Sequence, residues 1–102
     1  MTQDEYFQEF KAELVEMYKL TRAKNMDYAG AEDAFKNFRL IELLGAASVE
    51  QGFIVRMSDK LQRMANLISR ENMVADEKIT DTARDLSIYC ILFLTYLKSK
   101  DK

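Results

Sequence analysis

The stretch GFIVRMSDKLQRMANLISR, Gly52 to Arg70, decides the fold. Phe53, Met57, Leu61, Met64 and Ile68 recur at steps of three and four, so the stretch reads as one amphipathic helix with these residues on its inner face. Arg56, Asp59, Lys60, Arg63 and Arg70 fall on another face. A solvated face would mix its cations with Glu and Gln. This one carries cations and a single carboxylate, a composition suited to an anion or a metal-bridged phosphate.

Working outward, Ser48-Val49-Glu50-Gln51 has the form of a capping box that launches this helix. Before it, Gly45 marks the stop of a shorter helix expected over Ala31 to Leu44, with Phe35, Phe38, Ile41 and Leu44 inward. After it, Glu71 to Lys78 is polar and reads as a loop. A last helix begins between Asp76 and Thr80 and runs to about Lys98. It carries one apolar stripe of Ile79, Ala83, Leu86, Cys90, Phe93 and Leu97, and a second of Asp81, Asp85, Ile88, Leu92 and Tyr96. A helix apolar on two sides is buried within a bundle or against another subunit, and Leu92 is the position expected at a subunit contact. Asp81 and Asp85 then sit at the mouth of a buried seam, where carboxylates need Arg, Lys or a metal beside them.

At the other end of the chain, Thr2 to Glu5 is a second capping box. Phe7, Phe10, Leu14, Met17 and Tyr18 follow at helical spacing, giving a first helix from about Asp4 to Ala23. Its Glu9, Glu13 and Glu16 read as a solvated face, with Glu13 and Glu16 a weaker metal candidate. Lys24 to Gly30 reads as a turn, because Asn25, Asp27 and Gly30 crowd together there. The same segment offers a cation, an amide, a carboxylate and an aromatic plane in Lys24, Asn25, Asp27 and Tyr28. That set suits a nucleotide base and phosphate, and a plain helix connection is the other reading.

The chain has 102 residues, 48% of them hydrophobic, which bounds it to one small domain. It contains no His, Trp or Pro and only three Gly, so an all-α domain of about four helices is expected, with no hairpin-rich sheet. The expected core is Phe7, Phe10, Leu14, Phe35, Phe38, Met57, Leu61, Met64, Ala83, Leu86, Cys90 and Leu97. Without His, the usual general base and the usual zinc ligand are missing. Chemistry would rest on carboxylates, Lys, Arg, Tyr and a hard cation such as Mg2+. A net charge of -2 gives no global field for DNA or RNA, so any anion site is local. A single cysteine excludes an intramolecular disulfide and fits a reducing, cytoplasmic setting. Met1 to Lys11 is too polar for a signal peptide, and Ile88 to Leu94 is too short an apolar run to span a membrane.

Taken in order, Lys24-Asn25-x-Asp27-Tyr28-x-Gly30, Phe38, Arg56-x-x-Asp59-Lys60-x-x-Arg63 and Asp81-Thr82-x-x-Asp85-x-x-x-Tyr89 resemble the first nucleotide-modification-associated domain family of bacteriophages. The likeness covers about Lys24 to Tyr89. More distantly the chain is similar to the MazG-like all-α nucleoside triphosphate pyrophosphohydrolases. Those are oligomeric helical bundles that bind Mg2+ through carboxylates on two helices and split a nucleotide between its α and β phosphates. The resemblance implies an all-α, MazG-like, homo-oligomeric fold and a nucleotide ligand. The MazG-like pattern places paired glutamates three apart on one helix, then Glu and Asp three apart on the next. Here Asp59 is the one acid on the motif-bearing face, and Asp81 and Asp85 are four apart.

Two functions follow. In the first the protein binds a nucleotide or a nucleotide-derived signal and sequesters it from host defence. Arg56, Lys60 and Arg63 would then hold phosphates and Asp27 and Tyr28 the base or sugar, with Lys24 and Asn25 also among the nucleotide-binding candidates. In the second it is an Mg2+-dependent pyrophosphohydrolase, with Asp59, Asp81 and Asp85 on the metal. The missing acid pair favours the binder, and no catalytic residue is assigned.

Overall fold

The structure is a computed structural model, in which residues 1–28, 33–69 and 78–101 are described, with side chains described for 1–24, 33–69 and 78–101. It is all-helical. The helices are α1 (Gln3–Tyr28), α2 (Lys36–Leu43), α3 (Val49–Ser69) and α4 (Ile79–Lys100), and no strand occurs among the described residues. They fall into two compact units, Met1–Ala34 and Phe35–Lys102.

The first unit is built on α1. The Thr2 hydroxyl accepts a hydrogen bond from the Glu5 N–H at 3.1 Å, and Asp4 and Glu5 place negative charge on the first turn. The helix runs on through Lys24 to Tyr28, where a turn was expected. Asn25 and Asp27 each cost at most about 0.7 kcal/mol in a helix interior. An established helix tolerates that when no Pro or Gly interrupts it. Phe7, Phe10 and Leu14, expected inside, are 53%, 50% and 41% exposed.

The second unit is organised at the α2–α3 corner. Gly45 adopts φ +75, the left-handed conformation that suits glycine. Its N–H donates to Glu42 O at 2.9 Å, and the Ala46 N–H donates to Ile41 O at 3.2 Å. This pair of bonds is the Schellman motif, and it ends α2 where the sequence indicated. Three residues later the capping box closes in both directions. The Gln51 N–H donates to Ser48 Oγ at 3.1 Å, and the Ser48 N–H donates to Gln51 Oε1 at 2.9 Å. The start of α2 differs from expectation. Asp33 to Phe35 lie ahead of the helix, and Ala31 and Glu32 are outside the described residues. The Phe35 ring meets Tyr96 edge-on at 5.3 Å, a tertiary contact that outweighs local helix preference.

α3 and α4 run antiparallel. Glu50 meets Lys100, Phe53 meets Phe93, Met57 meets Cys90 and Lys60 meets Asp85, so residue numbers rise on one helix as they fall on the other. The core of this unit is aromatic. Phe53 is fully buried, stacked on Phe38 at 3.9 Å and on Phe93 at 4.9 Å. Phe35, Val49 and Tyr96 complete the cluster, with Met57, Tyr89, Leu92 and Phe93 packed against it. Gly52 lets α2 approach, since a Cβ there would lie 3.4 Å from Phe38 Cδ1.

Both long helices keep part of their expected inner faces and turn the rest outward. On α3 the inner seam is Val49, Phe53, Met57, Lys60, Met64 and Leu67, while Leu61 and Ile68 are 56% and 63% exposed. On α4 Asp85, Leu92 and Tyr96 of the second stripe face inward with Thr82 and Tyr89, Leu86 and Phe93 of the first stripe are half-buried beside them, and Ala83, Cys90 and Leu97 are exposed. Aromatic packing beneath α2 decides which of these residues face inward. Leu92 is therefore on the internal seam. Cys90 is exposed, with its Sγ 3.7 Å from Met57 Sδ, where a buried thiol was expected.

Candidate functional site

Of the charged residues singled out in the sequence, Lys60 of α3 and Asp85 of α4 meet, one turn beyond the aromatic cluster. Arg56, Lys60 and Arg63 sit at i, i+4 and i+7 of α3 and so share a stripe. Lys60 is the member turned into the α3–α4 seam, while Arg56 and Arg63 are exposed. The Lys60 Nζ lies 3.6 Å from Asp85 Oδ2, with the two side chains 21% and 29% exposed. Asp85 occupies the seam one turn of α4 before Tyr89. The carboxylate expected at the mouth of the seam thus has an ammonium from the facing helix beside it.

Asp81 lies one turn earlier on α4 and is exposed. Its Oδ1 is 3.4 Å from Arg84 Nη1 on the same helix. Asp59 is exposed on α3. Among the described residues no group of three or more His, Cys, Asp or Glu gathers within metal-binding reach. Lys24 is exposed at the described end of α1, and the side chains of Asn25, Asp27 and Tyr28 lie outside the described residues. Two residues of the quoted motifs belong to the core. Phe38 stacks on Phe53, and the Tyr89 ring meets Phe38 edge-on at 6.4 Å.

A second charged group was not visible in the sequence. Lys100 Nζ lies 2.6 Å from Glu50 Oε1 and 5.8 Å from the centre of the Tyr96 ring. Its hydrogen bond to Lys100 holds the Glu50 carboxyl below the usual carboxylate range. The same bond pushes the Lys100 ammonium up, and burial pushes the Tyr96 phenol up. The group ties the start of α3 to the end of α4. Positions 50 and 100 share no local spacing, so only the antiparallel register brings them together.

No family model matches this chain, and no curated protein or solved structure shows significant similarity to it. No helix among the described residues is long and apolar enough to cross a membrane.

Proposed function

We propose that this is a phage-type nucleotide-binding protein of the host cytoplasm, acting as a MazG-like homo-oligomer that holds a phosphate-bearing nucleotide or nucleotide-derived signal away from host defence. The observation that carries this reading is the Arg56–Lys60–Arg63 stripe with Lys60 set against Asp85. Asp85 fixes the ammonium beside two exposed arginines, which present planar, forked donors to phosphate oxygens.

The second reading, an Mg2+-dependent nucleoside triphosphate pyrophosphohydrolase, draws on the motif likeness. In it Asp59, Asp81 and Asp85 would take a Mg2+ that arrives with the nucleotide phosphates. The Lys60–Asp85 contact favours the binder, because the partner facing Asp85 is a protein cation.

Incubation of the protein with a nucleotide panel and Mg2+, followed by chromatography, separates the two. An unchanged nucleotide released on denaturation is the expected result. Monophosphate with pyrophosphate means hydrolysis, and neither retained nucleotide nor product refutes both. Arg63→Ala, measured by calorimetry on the retained nucleotide, is expected to weaken binding by roughly one to two orders of magnitude.

A further inference from the structure

Asp85 poses a problem for an anion site. If Arg56, Lys60 and Arg63 take phosphate oxygens, the carboxylate 3.6 Å from the Lys60 ammonium stands beside those oxygens and repels them. An ionised carboxylate only accepts hydrogen bonds, so from a ligand it can take a hydroxyl or N–H donor, or a metal ion. Its two oxygens have room for about four bonds, and the contact with Lys60 does not exhaust them.

The residue one turn earlier on the same face narrows the choice. Thr82 is 3% exposed and lies on the inner seam of α4, three residues before Asp85, a spacing that sets Cβ atoms about 5–6 Å apart. Its hydroxyl makes no hydrogen bond among the described residues. Other helix hydroxyls do. Those of Ser58, Ser69, Ser87, Thr95 and Ser99 each donate to a carbonyl three or four residues back on their own helix. No fully buried side-chain oxygen of the described residues goes unpaired, so the small part of Thr82 left accessible includes its hydroxyl. A valine would fill the same space without an idle polar group, so packing gives no reason for a hydroxyl here.

A sugar hydroxyl meets both residues at once, because one group donates to Asp85 and accepts from Thr82. In a nucleotide the sugar is also the part next to the phosphate, whereas the N–H groups of the base lie farther out. We infer that Asp85 and Thr82 take the ribose 2′-hydroxyl of the ligand, so that this site prefers a ribonucleotide to its 2′-deoxy counterpart. This rests on the phosphate-binding reading above and adds the sugar class to it. Lys60 joins the two halves, since its three N–H donors serve Asp85 and a phosphate together. A ligand without the 2′-hydroxyl covers Asp85 and Thr82 and leaves both unpaired, and that is the source of the preference.

The test is calorimetry with the four ribonucleoside triphosphates and their 2′-deoxy counterparts, with Mg2+ and with chelator, on wild type, Thr82→Val, Thr82→Ser and Arg56→Ala. Urea unfolding checks that each variant is folded. Wild type is expected to bind a ribonucleotide roughly 10- to 100-fold more tightly than its 2′-deoxy form. Thr82→Val should narrow that difference several-fold through the ribonucleotide alone, with an unchanged or raised urea midpoint, while Thr82→Ser keeps it. Arg56→Ala should weaken both forms alike. Equal binding of the two forms by wild type, or a difference that Thr82→Val leaves intact, overturns the sugar assignment and leaves the phosphate-binding reading standing. A lower urea midpoint for Thr82→Val means that the hydroxyl serves the fold, and overturns the assignment as well. Binding of none of these nucleotides overturns both.

Discussion

Replacing Lys60 by Met removes the ammonium that faces Asp85 while keeping an unbranched apolar chain of similar length. At 3.6 Å two unit charges attract by about 1 kcal/mol if fully screened by water and about 5 kcal/mol at an effective dielectric near 20. The side chains are 21% and 29% exposed, so desolvation and the ordering of a long side chain offset most of the larger figure. A double-mutant cycle of Lys60→Met with Asp85→Asn, read by urea unfolding, should give a coupling of about 1 kcal/mol. Nucleotide affinity supplies the functional half of the experiment. If Lys60 contacts phosphate, Lys60→Met costs about 1.5–3 kcal/mol, or roughly 10- to 150-fold in Kd. Asp85→Asn leaves the ammonium in place but unoriented, and should cost less than about tenfold. Calorimetry would refute the assignment if Lys60→Met bound the retained nucleotide as tightly as wild type while the stability coupling was present. Lys60 would then be an internal ion pair with no ligand role.

The core and corners yield further expectations. Phe53→Ala empties the centre of the aromatic cluster and should cost about 3–5 kcal/mol, enough to abolish a cooperative thermal transition in a marginally stable unit. Gly52→Ala should be neutral or stabilising by up to about 1 kcal/mol, since the new Cβ meets Phe38 at an ordinary 3.4 Å, whereas Gly52→Leu should destabilise by about 1–3 kcal/mol; urea midpoints distinguish them. Ser48→Ala breaks the capping box and should lower Tm by about 4–8 °C, for a loss of about 1 kcal/mol. Raised pKa values at Tyr96 and Lys100 give stability that is complete below their ordinary values of 10.0 and 10.5 and is lost as pH rises through the folded values. The lowered Glu50 value acts at the other end, its contribution disappearing as pH falls below the usual carboxylate range. Thermal melts across pH should therefore show an alkaline decline that Tyr96→Phe reduces.

Local signals carried the four helices and some of their ends, but not the end of α1 or the start of α2. The Ser48–Gln51 box, the Gly45 stop and the start of α4 all depend on neighbours a few residues apart, and each lies where the residues indicated. What periodicity does not settle is which of two stripes faces in. Leu61 and Ile68 are as apolar as Met64 and Leu67, and the difference between them comes from α2 and α4, which no window along α3 contains. Tyr89 was undervalued for a related reason, whereas Tyr96 was already on an expected apolar stripe. A phenol reads as amphipathic in sequence, but against Phe35, Phe38 and Phe53 it is a core ring. Of the candidate site, the pairing of α3 cations with the α4 acids was legible and is seen at Lys60 and Asp85. Asp81 turns to Arg84 instead, because an arginine three residues on along the same helix competes with any partner across the seam.

The corner between α2 and α3 also has a kinetic consequence. Each of its bonds, from Ala46 to Ile41, Gly45 to Glu42, Gln51 to Ser48 and Val49 to Glu42, closes a loop of seven residues or fewer. Loops that short cost little chain entropy and close on the sub-microsecond scale. Lys100 and Asp85, by contrast, reach Glu50 and Lys60 only after a long segment has been gathered. This ordering predicts that the corner forms within the folding nucleus and that α4 docks after the rate-limiting barrier. Weakening the Ser48 cap should slow folding, while breaking the Glu50–Lys100 tie should hasten unfolding and leave the folding limb of the chevron unmoved.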